Sequence, residues 1–373
     1  MIIGVPKERK TRENRVGLTP DNVREIIDSG HEVWIETKAG AQSRFEDQDY
    51  VNAGAKVVPT AEEVWQAEMV VKVKEPQPSE YQYFREGQIL FCYLHLASER
   101  ELAEALVEKK VTGIAYETMT RNGRKTPLLM PMSEVAGRMA VQTAAHLLEQ
   151  SQGGRGILLG GIPGVGKANV TIIGGGVVGE NAAKIAQGMG ASVTIIDINP
   201  NRLAELENTL GQGLHTLMSN EQNIHDAVIQ SDVVIGSVLI PGREAPVLVK
   251  EETVKQMKPG AVMIDIAVDQ GGNFETTTHS TTFEDPTYIV HDVVHYAVAN
   301  VPGAVPRTST IGLTNVSLPY VKWIASAGLI EAVKQDIMVE TGINTYQGHI
   351  THYEVATSLD MHHEPLSNLI PAK

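Results

Sequence analysis

The segment of residues 170–197 constrains the fold more than any other part of this chain. A short run of apolar and β-branched residues begins it and is typical of a buried parallel strand. Gly174, Gly176 and Gly179 follow in the spacing G-x-G-x-x-G, and a helical pattern comes directly after them. A second apolar run then ends at Asp197. The order of strand, glycine turn, helix, strand and acid predicts a dinucleotide-binding unit.

Each residue of this motif has a physical role. Gly174 permits a tight turn, Gly176 lets a pyrophosphate approach the backbone at a helix N-terminus, and Gly179 lets helix and strand pack closely. The carboxylate of Asp197 can accept hydrogen bonds from both ribose hydroxyls and would repel a 2′-phosphate, which favours NAD over NADP. Arg202 follows shortly after and weakens this preference slightly. The rival interpretation is a glycine-rich turn that binds nothing.

Length and composition narrow the classes of protein. A chain of 373 residues is too long for one ordinary core, so we expect two domains. The formal net charge of −14 argues against nucleic-acid binding, although a local basic pocket could still hold an acid. The single cysteine, Cys92, excludes an internal disulfide and fits a cytoplasmic protein. The short apolar N-terminal stretch is not expected to act as a signal peptide, and no apolar run reaches membrane-spanning length, so we expect no membrane partner.

Helix and strand patterns also alternate before the glycine motif. They lack a glycine fingerprint of their own and predict a second parallel sheet covered on both faces. We therefore predict an α/β protein with two Rossmann-like domains and parallel sheets. A NAD-binding domain is inserted into a discontinuous substrate domain. The predicted parts are residues 1–130 for the substrate domain, 131–305 for the NAD-binding domain with its linking helix, and 306–373 for a helical return to the substrate domain.

Capping residues predict where several helices begin. Ser98 opens a capping-box pattern, and Ser133 is predicted to cap the long linking helix over about 134–150. Two more helices are predicted near the C-terminus, over about 317–327 and 329–341.

Polar side chains at the carboxyl ends of the predicted strands are the candidates for chemistry, because ligands of parallel α/β sheets bind there. In the first domain these candidates are Lys74 and His95. In the second they are Asp269 and the segment 237–241. Arg15 lies in the charged loop after the first strand.

These residue types suit a dehydrogenase that acts on a small carboxylic acid. Histidine transfers protons near neutral pH, arginine binds a carboxylate through two parallel hydrogen bonds, and lysine can polarise a carbonyl or pair with the carboxylate. Each residue also has an ordinary alternative, because a lysine at a strand end is usually solvated and His95 or Asp269 could be structural. No spacing of histidines, cysteines and carboxylates indicates a metal site.

Several stretches resemble one family along nearly the whole chain. Residues 4–8 and 13–20 resemble the N-terminal signature of alanine dehydrogenases and the related proton-translocating transhydrogenase subunits. Residues 174–197 resemble the second signature of that family. Further stretches that resemble it, in chain order, are 72–76, 93–96, 129–133 and 265–271.

The resemblance implies an enzyme that converts L-alanine, water and NAD⁺ reversibly into pyruvate, ammonium and NADH. It implies that Arg15 and Lys74 bind the substrate, that His95 is the general acid and base, and that Asp269 assists proton transfer at the nicotinamide. The family is typically hexameric, so we expect a cytoplasmic homo-hexamer. The residues expected to contact NAD are Ser133, Gly174, Gly176, Val177, Val178, Gly179, Asp197, Arg202, Ser219, Val238, Leu239 and Asn300.

Two kinds of rival stay open. A transhydrogenase component, or a dehydrogenase for another amino acid, would share the nucleotide-binding fold. The presence of both Lys74 and His95 in a chain without a membrane segment favours an alanine dehydrogenase. A non-catalytic NAD-sensing protein would bind NAD but would not reduce it with any amino acid.

Overall fold

A computed structural model describes residues 1–121, 123, 125–239 and 244–370 of the chain. The chain divides into two compact units. The first unit comprises Met1–Met132 together with Val305–Lys373, and the second comprises Ser133–Ala304. The second unit is therefore one continuous segment, whereas the first is made from two. Residues 240 and 241 of the candidate segment 237–241 lie outside the described residues.

The N-terminal part of the first unit alternates strands with helices. Most of its strands are buried apolar runs, as expected for a parallel sheet covered on both faces. Thr19 caps the first helix because its hydroxyl accepts a hydrogen bond from the amide of Asn22 at 3.2 Å. The elements are β1 (Ile2–Val5), α1 (Pro20–Asp28), β2 (Glu32–Glu36), α2 (Asp47–Asn52), β3 (Lys56–Val58), α3 (Ala61–Val64), β4 (Met69–Val71), β5 (Ile89–Cys92), α4 (Arg100–Glu108) and β6 (Thr112–Ala115).

The second unit repeats this alternation, and the helix that precedes it runs across the boundary between the units. The glycine motif lies between the first strand and the following helix, as the sequence predicts. The elements are α5 (Met130–Leu147), β7 (Asn169–Ile173), α6 (Val177–Gly188), β8 (Ser192–Asp197), α7 (Pro200–Leu210), β9 (Leu214–Met218), α8 (Glu221–Gln230), β10 (Val233–Gly236), α9 (Glu251–Val254), β11 (Val262–Asp265), β12 (Thr287–Val290) and β13 (Val293–Tyr296).

The C-terminal tail returns to the first unit and adds strands as well as helices. Its elements are α10 (Pro306–Ala327), α11 (Leu329–Gln335), α12 (Ile337–Gly342), β14 (Ile343–Tyr346), β15 (His349–Ile350), α13 (Tyr353–Leu359) and α14 (Leu366–Leu369).

Both sheets are mainly parallel, which confirms the predicted α/β class, but each has an antiparallel edge. The sheet of the first unit has the order β15-β14-β6-β5-β4-β1-β2-β3, and β14 runs antiparallel to β6. The sheet of the second unit has the order β12-β13-β11-β10-β7-β8-β9, and β12 runs antiparallel to β13. The antiparallel edge strands, and the strands β14 and β15 in the tail, were not among the predicted elements.

Two predicted helix starts were also wrong. α5 begins at Met130, so Ser133 lies inside the helix instead of capping it. The overlooked signal is Pro131, since proline is well tolerated in the first turn of a helix. Ser98 does not cap α4 either, because its hydroxyl donates a hydrogen bond to the carbonyl of His95 at 3.0 Å.

The tail helices differ from the predicted spans in a similar way. α10 begins at Pro306 and continues through Pro319, so the helix is much longer than the predicted 317–327. The second predicted helix is divided, because the side chain of Asp336 accepts a hydrogen bond from the amide of Met338 at 2.9 Å and starts α12.

Candidate functional site

Each sheet has one point at which the strand order reverses, and these points locate the candidate sites. In an open parallel sheet, ligands bind beyond the carboxyl ends of the strands at such a reversal. In the second unit the reversal lies between β7 and β10, which are neighbours in the sheet. In the first unit it lies between β1 and β4.

The glycine turn at the end of β7 has the geometry that the sequence predicts. Gly174 has a φ of +104°, which side-chain-bearing residues rarely adopt. A Cβ atom at Gly179 would lie only 1.8 Å from the carbonyl oxygen of Gly174, so helix and turn touch backbone to backbone. A Cβ atom at Gly176 would meet nothing within 4 Å, so the turn is open at that position.

The open position at Gly176 is also the N-cap of α6. No side chain accepts a hydrogen bond at this N-terminus. Val177 and Val178 form the first turn of the helix behind it. Backbone N–H groups and the helix dipole therefore favour an anion here, which fits the pyrophosphate of a dinucleotide.

Asp197 and Arg202 lie beside the same turn. One carboxylate oxygen of Asp197 accepts a hydrogen bond from the amide of Gly175 at 2.6 Å, and the other accepts one from the amide of Asn199 at 2.8 Å. The Nε of Arg202 donates to the carbonyl of Gly175 at 2.6 Å, and its guanidinium pairs with Glu180. The carbonyl of Asp197 also accepts from the amide of Ser219 at 2.9 Å. These contacts hold the predicted ribose-binding acid against the predicted phosphate-binding turn.

The buried side chain of Asn273 joins the loops after β10 and β11 by hydrogen bonds. No motif in the sequence pointed to this residue. Asn273 accepts a hydrogen bond from the amide of Val238 at 2.9 Å and donates one to the carbonyl of the same residue at 3.0 Å. Asp265 accepts from the amide of Asn273 at 2.9 Å. Ser237 donates to the carbonyl of Gly174 at 3.1 Å, which joins the loop to the glycine turn.

The predicted catalytic residue Asp269 and the remaining predicted cofactor residues of the second unit occupy exposed or half-buried positions. Asp269 lies in a short 3-10 turn after β11 and is exposed, and its carboxylate accepts a hydrogen bond from the amide of Asn300 at 3.4 Å. Leu239 is exposed in the loop after β10, and Ser133 is half-buried in α5.

In the first unit, Lys74 and His95 meet at the carboxyl ends of neighbouring strands. The Nζ of Lys74 lies 3.3 Å from the Nε2 of His95. The imidazole of His95 stacks on the ring of Tyr93, with ring centroids 6.0 Å apart, and the hydroxyl of Tyr93 donates to the carbonyl of Leu128 at 2.6 Å. β4 ends at Val71, so Lys74 follows its strand instead of ending it as predicted.

Burial and positive charge set the protonation of this pair. Burial, Lys74, Lys10 and Arg15 together lower the pKa of His95 to about 3. Burial and the charge of Arg15 also hold the pKa of Lys74 below its usual value. The imidazole is therefore neutral at physiological pH and can accept a proton.

Arg15 lies in the charged loop after β1, and its side chain is buried at 2 % exposure. Its guanidinium makes a two-point ion pair with Glu13, with Nε–Oε1 at 2.7 Å and Nη2–Oε2 at 2.6 Å. Burial would raise the pKa of Glu13, but Arg15 outweighs it and the pKa falls below its usual range. A second contact joins Nη1 to the sulfur of Met132 at 3.0 Å. These contacts fix the guanidinium plane. No motif in the sequence pointed to Glu13.

A second buried charge cluster supports the segment that carries Lys74. Lys72 is fully buried, and its Nζ lies 3.1 Å from Glu8 and 3.3 Å from Glu80. Glu8 also accepts hydrogen bonds from the amides of Val73 at 2.7 Å and Lys74 at 3.4 Å. Burial would lower the pKa of Lys72, but Glu8 and Glu80 outweigh it and the pKa rises. The lysine is therefore a structural cation beneath Lys74.

Within the described residues, no group of three or more histidines, cysteines or carboxylates could hold a metal ion. None of the helices in the described part of the chain combines the length and the hydropathy that crossing a bilayer requires.

Two family profiles together match most of the chain. The profile "Alanine dehydrogenase/PNT, N-terminal domain" matches residues 4–136, and "Alanine dehydrogenase/PNT, C-terminal domain" matches residues 140–353. An alanine dehydrogenase of Staphylococcus haemolyticus is 56% identical over 99% of this chain and 99% of its own length. An "Alanine dehydrogenase 2" of Staphylococcus aureus is also 56% identical, over 99% of this chain and 100% of its own length.

Solved structures show the same likeness. An L-alanine dehydrogenase superposes with a TM-score of 0.94 and 52% identity, covering 96% of this chain and 99% of that one. A transhydrogenase from Sinorhizobium meliloti superposes with a TM-score of 0.82 and 27% identity, covering 95% and 99%.

The fold and the glycine turn, together with these relatives, define an α/β oxidoreductase that uses a nicotinamide nucleotide. More particularly, the chain belongs to the alanine dehydrogenase/PNT family. The predicted family and the prediction of an enzyme are thereby confirmed.

Proposed function

We propose that this protein catalyses the reversible, NAD-dependent oxidative deamination of L-alanine to pyruvate and ammonium. The observation that carries the proposal is the 3.3 Å approach of Lys74 to a neutral His95, with the charge of Arg15 acting on both. This is a base and two cations at the carboxyl ends of parallel strands. Such a set suits an amino acid whose carboxylate must be held while its amine is replaced by oxygen.

In this proposal Arg15 and Lys74 hold the substrate. The guanidinium of Arg15, oriented by Glu13, binds the carboxylate that alanine and pyruvate share. The ammonium of Lys74 lies toward the forming carbonyl oxygen and stabilises the negative charge that develops there. The cluster of Glu8, Lys72 and Glu80 keeps the backbone of Lys74 in place.

His95 performs the proton transfers. NAD⁺, when bound, accepts the hydride from the α-carbon of alanine. His95 removes a proton from the water that adds to the resulting imine, and returns a proton to the nitrogen as ammonia leaves the carbinolamine. The low pKa of His95 keeps its lone pair available for the first of these transfers. Asp269 is the second proposed catalytic residue and is proposed to assist proton transfer.

The glycine turn, Asp197 and the loop at Val238 form the proposed NAD site. The open backbone at Gly176 fits a pyrophosphate, and the carboxylate of Asp197 beside it fits an unphosphorylated ribose. Val177, Val178, Arg202, Ser219, Leu239, Asn300 and Ser133 are proposed to complete the NAD contacts. The homo-hexamer and the cytoplasmic location stay predictions.

The proposal is tested by incubating purified protein with NAD⁺ and a panel of L-amino acids and following NADH absorbance. Alanine should give the fastest reduction, and NADP⁺ in place of NAD⁺ should lower the rate at least about tenfold, because Asp197 repels a 2′-phosphate. Reduction with another amino acid but not with alanine would overturn the substrate. Protein that binds NAD but reduces none with any amino acid would favour a transhydrogenase component or a non-catalytic NAD-binding protein instead.

A further inference from the structure

Glu117 follows the strand next to the one that precedes His95. β5 and β6 run parallel, with Cys92 opposite Ala115 in the register. The amide of Tyr116 continues this pairing by donating to the carbonyl of Cys92 at 2.9 Å. The chain then leaves both strands at the same edge of the sheet, so the side chain of Glu117 can reach the backbone of the neighbouring loop.

That side chain contacts the backbone of His95 and of the residue before it. The Oε1 of Glu117 accepts a hydrogen bond from the amide of His95 at 2.6 Å. The amide of Leu94 lies 3.2 Å from Oε1 and 3.3 Å from Oε2. One half-buried carboxylate therefore holds two consecutive amides. Hydrogen bonds to a charged acceptor are stronger than those to a neutral one.

The backbone at His95 has a conformation that histidine rarely adopts. Its φ is 50° and its ψ is 33°, which is left-handed helical. This conformation turns the chain sharply after Leu94, and in it the imidazole reaches both Tyr93 and the ammonium of Lys74. An extended backbone at this position would send the side chain in another direction. The hydrogen bonds to Glu117 compensate for the unfavourable backbone angle at His95, whose imidazole must face Lys74.

We propose that Glu117 is a positioning residue, which holds the backbone of His95 in the left-handed conformation and so aims the imidazole at the substrate. The inference rests on the proposed function, because it concerns the proposed catalytic base. Burial raises the pKa of Glu117 to about 6. The carboxylate is therefore ionised at neutral pH, where its acceptor strength is greatest.

The test compares Glu117→Gln and Glu117→Ala with the wild-type protein. The glutamine keeps an oxygen acceptor but loses the charge, whereas the alanine loses the acceptor altogether. We expect kcat for alanine oxidation to fall about 10-fold in Glu117→Gln and about 100-fold in Glu117→Ala, because misplacing a catalytic group by about 1 Å costs on the order of 100-fold. The KM for alanine and the dissociation constant of NAD should stay within about twofold.

Asp232→Asn is the matched control. Asp232 is buried and, like Glu117, has a carboxylate that accepts a backbone hydrogen bond, here from the amide of Asn169 at 2.9 Å. It precedes β10, at the opposite strand end from the glycine turn. Loss of this charge should affect the melting temperature about as much as Glu117→Gln does, but should leave kcat within about twofold. Equal losses of kcat in Asp232→Asn and Glu117→Gln would overturn the positioning role.

A separate outcome distinguishes this inference from the proposed function. A wild-type protein without alanine-dependent NAD reduction would remove both. Normal wild-type activity that is abolished in His95→Ala but retained in both Glu117 variants would remove only the role of Glu117. A rise in KM with unchanged kcat would also overturn it, because that pattern indicates lost substrate binding.

Hydrogen exchange of the wild-type protein keeps the inference testable if the variants fail to fold. The amides of Leu94 and His95 should exchange slowly, since both are held by the carboxylate. Exchange as fast as that of exposed loop amides would show that the carboxylate does not hold them, and the inference would fail.

Discussion

The candidate sites of the two sheets are built from different kinds of chemical group. At the end of β7 the glycines have no side chains, so the backbone amides at Gly176 are open to an anion. At the ends of β4 and β5 the protein concentrates charged side chains, so that Lys74 and His95 meet. One site is built from backbone and needs glycines at fixed spacing, whereas the other is built from side chains that are distant in sequence.

From this difference we expect the two sites to respond differently to substitution. The glycine turn is limited by space at Gly179, because an added carbon there collides with the backbone of Gly174. The charged site is limited by electrostatics and orientation, because each group sets the protonation or the direction of another. Substitutions should therefore reduce cofactor binding or stability at the first site, and reduce turnover or shift a pKa at the second.

The largest expected effect is the loss of His95. His95→Ala should lower alanine-dependent NAD reduction about 1000-fold, because general acid–base catalysis contributes on the order of 100- to 10,000-fold. The dissociation constant of NAD should change less than about threefold. Steady-state kinetics and fluorescence titration with NADH measure the two effects, with the exposed His146→Ala as the control. Turnover close to normal would exclude His95 from the mechanism.

The next effect tests the backbone contact in the glycine turn. Gly179→Ala would bring a Cβ atom to 1.8 Å from the carbonyl oxygen of Gly174, so it should weaken NAD binding about 100-fold. It should also lower the free energy of unfolding by about 1–3 kcal/mol. Gly188→Ala in the same helix meets nothing within 4 Å and should be neutral or stabilise by up to about 1 kcal/mol. Equal stability of the two variants in urea denaturation would contradict the packing role.

Gly176→Ala should affect NAD binding without affecting stability. The added carbon meets no protein atom within 4 Å, so the melting temperature should not change by more than about 2 °C. NAD binding should still weaken at least about tenfold, because a pyrophosphate would approach at this point. Unchanged affinity by calorimetry would mean that the cofactor does not contact Gly176.

The smallest effect is a shift in protonation at the charged site. Lys74→Met removes the ammonium beside His95, so the pKa of His95 should rise above about 3. It should stay below the ordinary value of 6.5, because burial is the largest cause of the lowered value. NMR titration of 15N-labelled histidines measures the change, with Lys109→Met as a control at the end of α4. An unshifted His95 in Lys74→Met would show that the two groups are not electrostatically coupled.

The sequence predicted the glycine turn more fully than the charged site, because the first is built from backbone and the second from side chains that are distant in sequence. Gly174, Gly176 and Gly179 act through local backbone geometry, and residues close together in the sequence determine that geometry. Lys74 and His95 could be paired only because strand ends in a parallel sheet converge.

Contacts across longer sequence distances were not predictable in this way. Glu13 and Glu117 carry no motif, and a carboxylate in a charged loop or after a strand is usually solvated. The antiparallel edge formed by β14 depends on pairing with β6, which periodicity in either segment does not specify. Ser133 was wrongly predicted to cap α5, because a serine before an apolar run fits both a helix cap and a helix interior. Pro131 was the better signal of where the helix begins, since proline favours the first turn.

The divided first unit has a consequence for synthesis on the ribosome. β6 is complete once the chain reaches Ala115, but its neighbour β14 begins at Ile343, after the whole second unit has been translated. At about 5–20 residues per second the edge of β6 lacks this partner for on the order of ten seconds or longer. A nascent chain with an unpaired strand edge is prone to mispairing with another chain. Chaperones that act on nascent chains should therefore affect the yield of this protein through its first unit, whereas the second unit can fold as soon as it emerges.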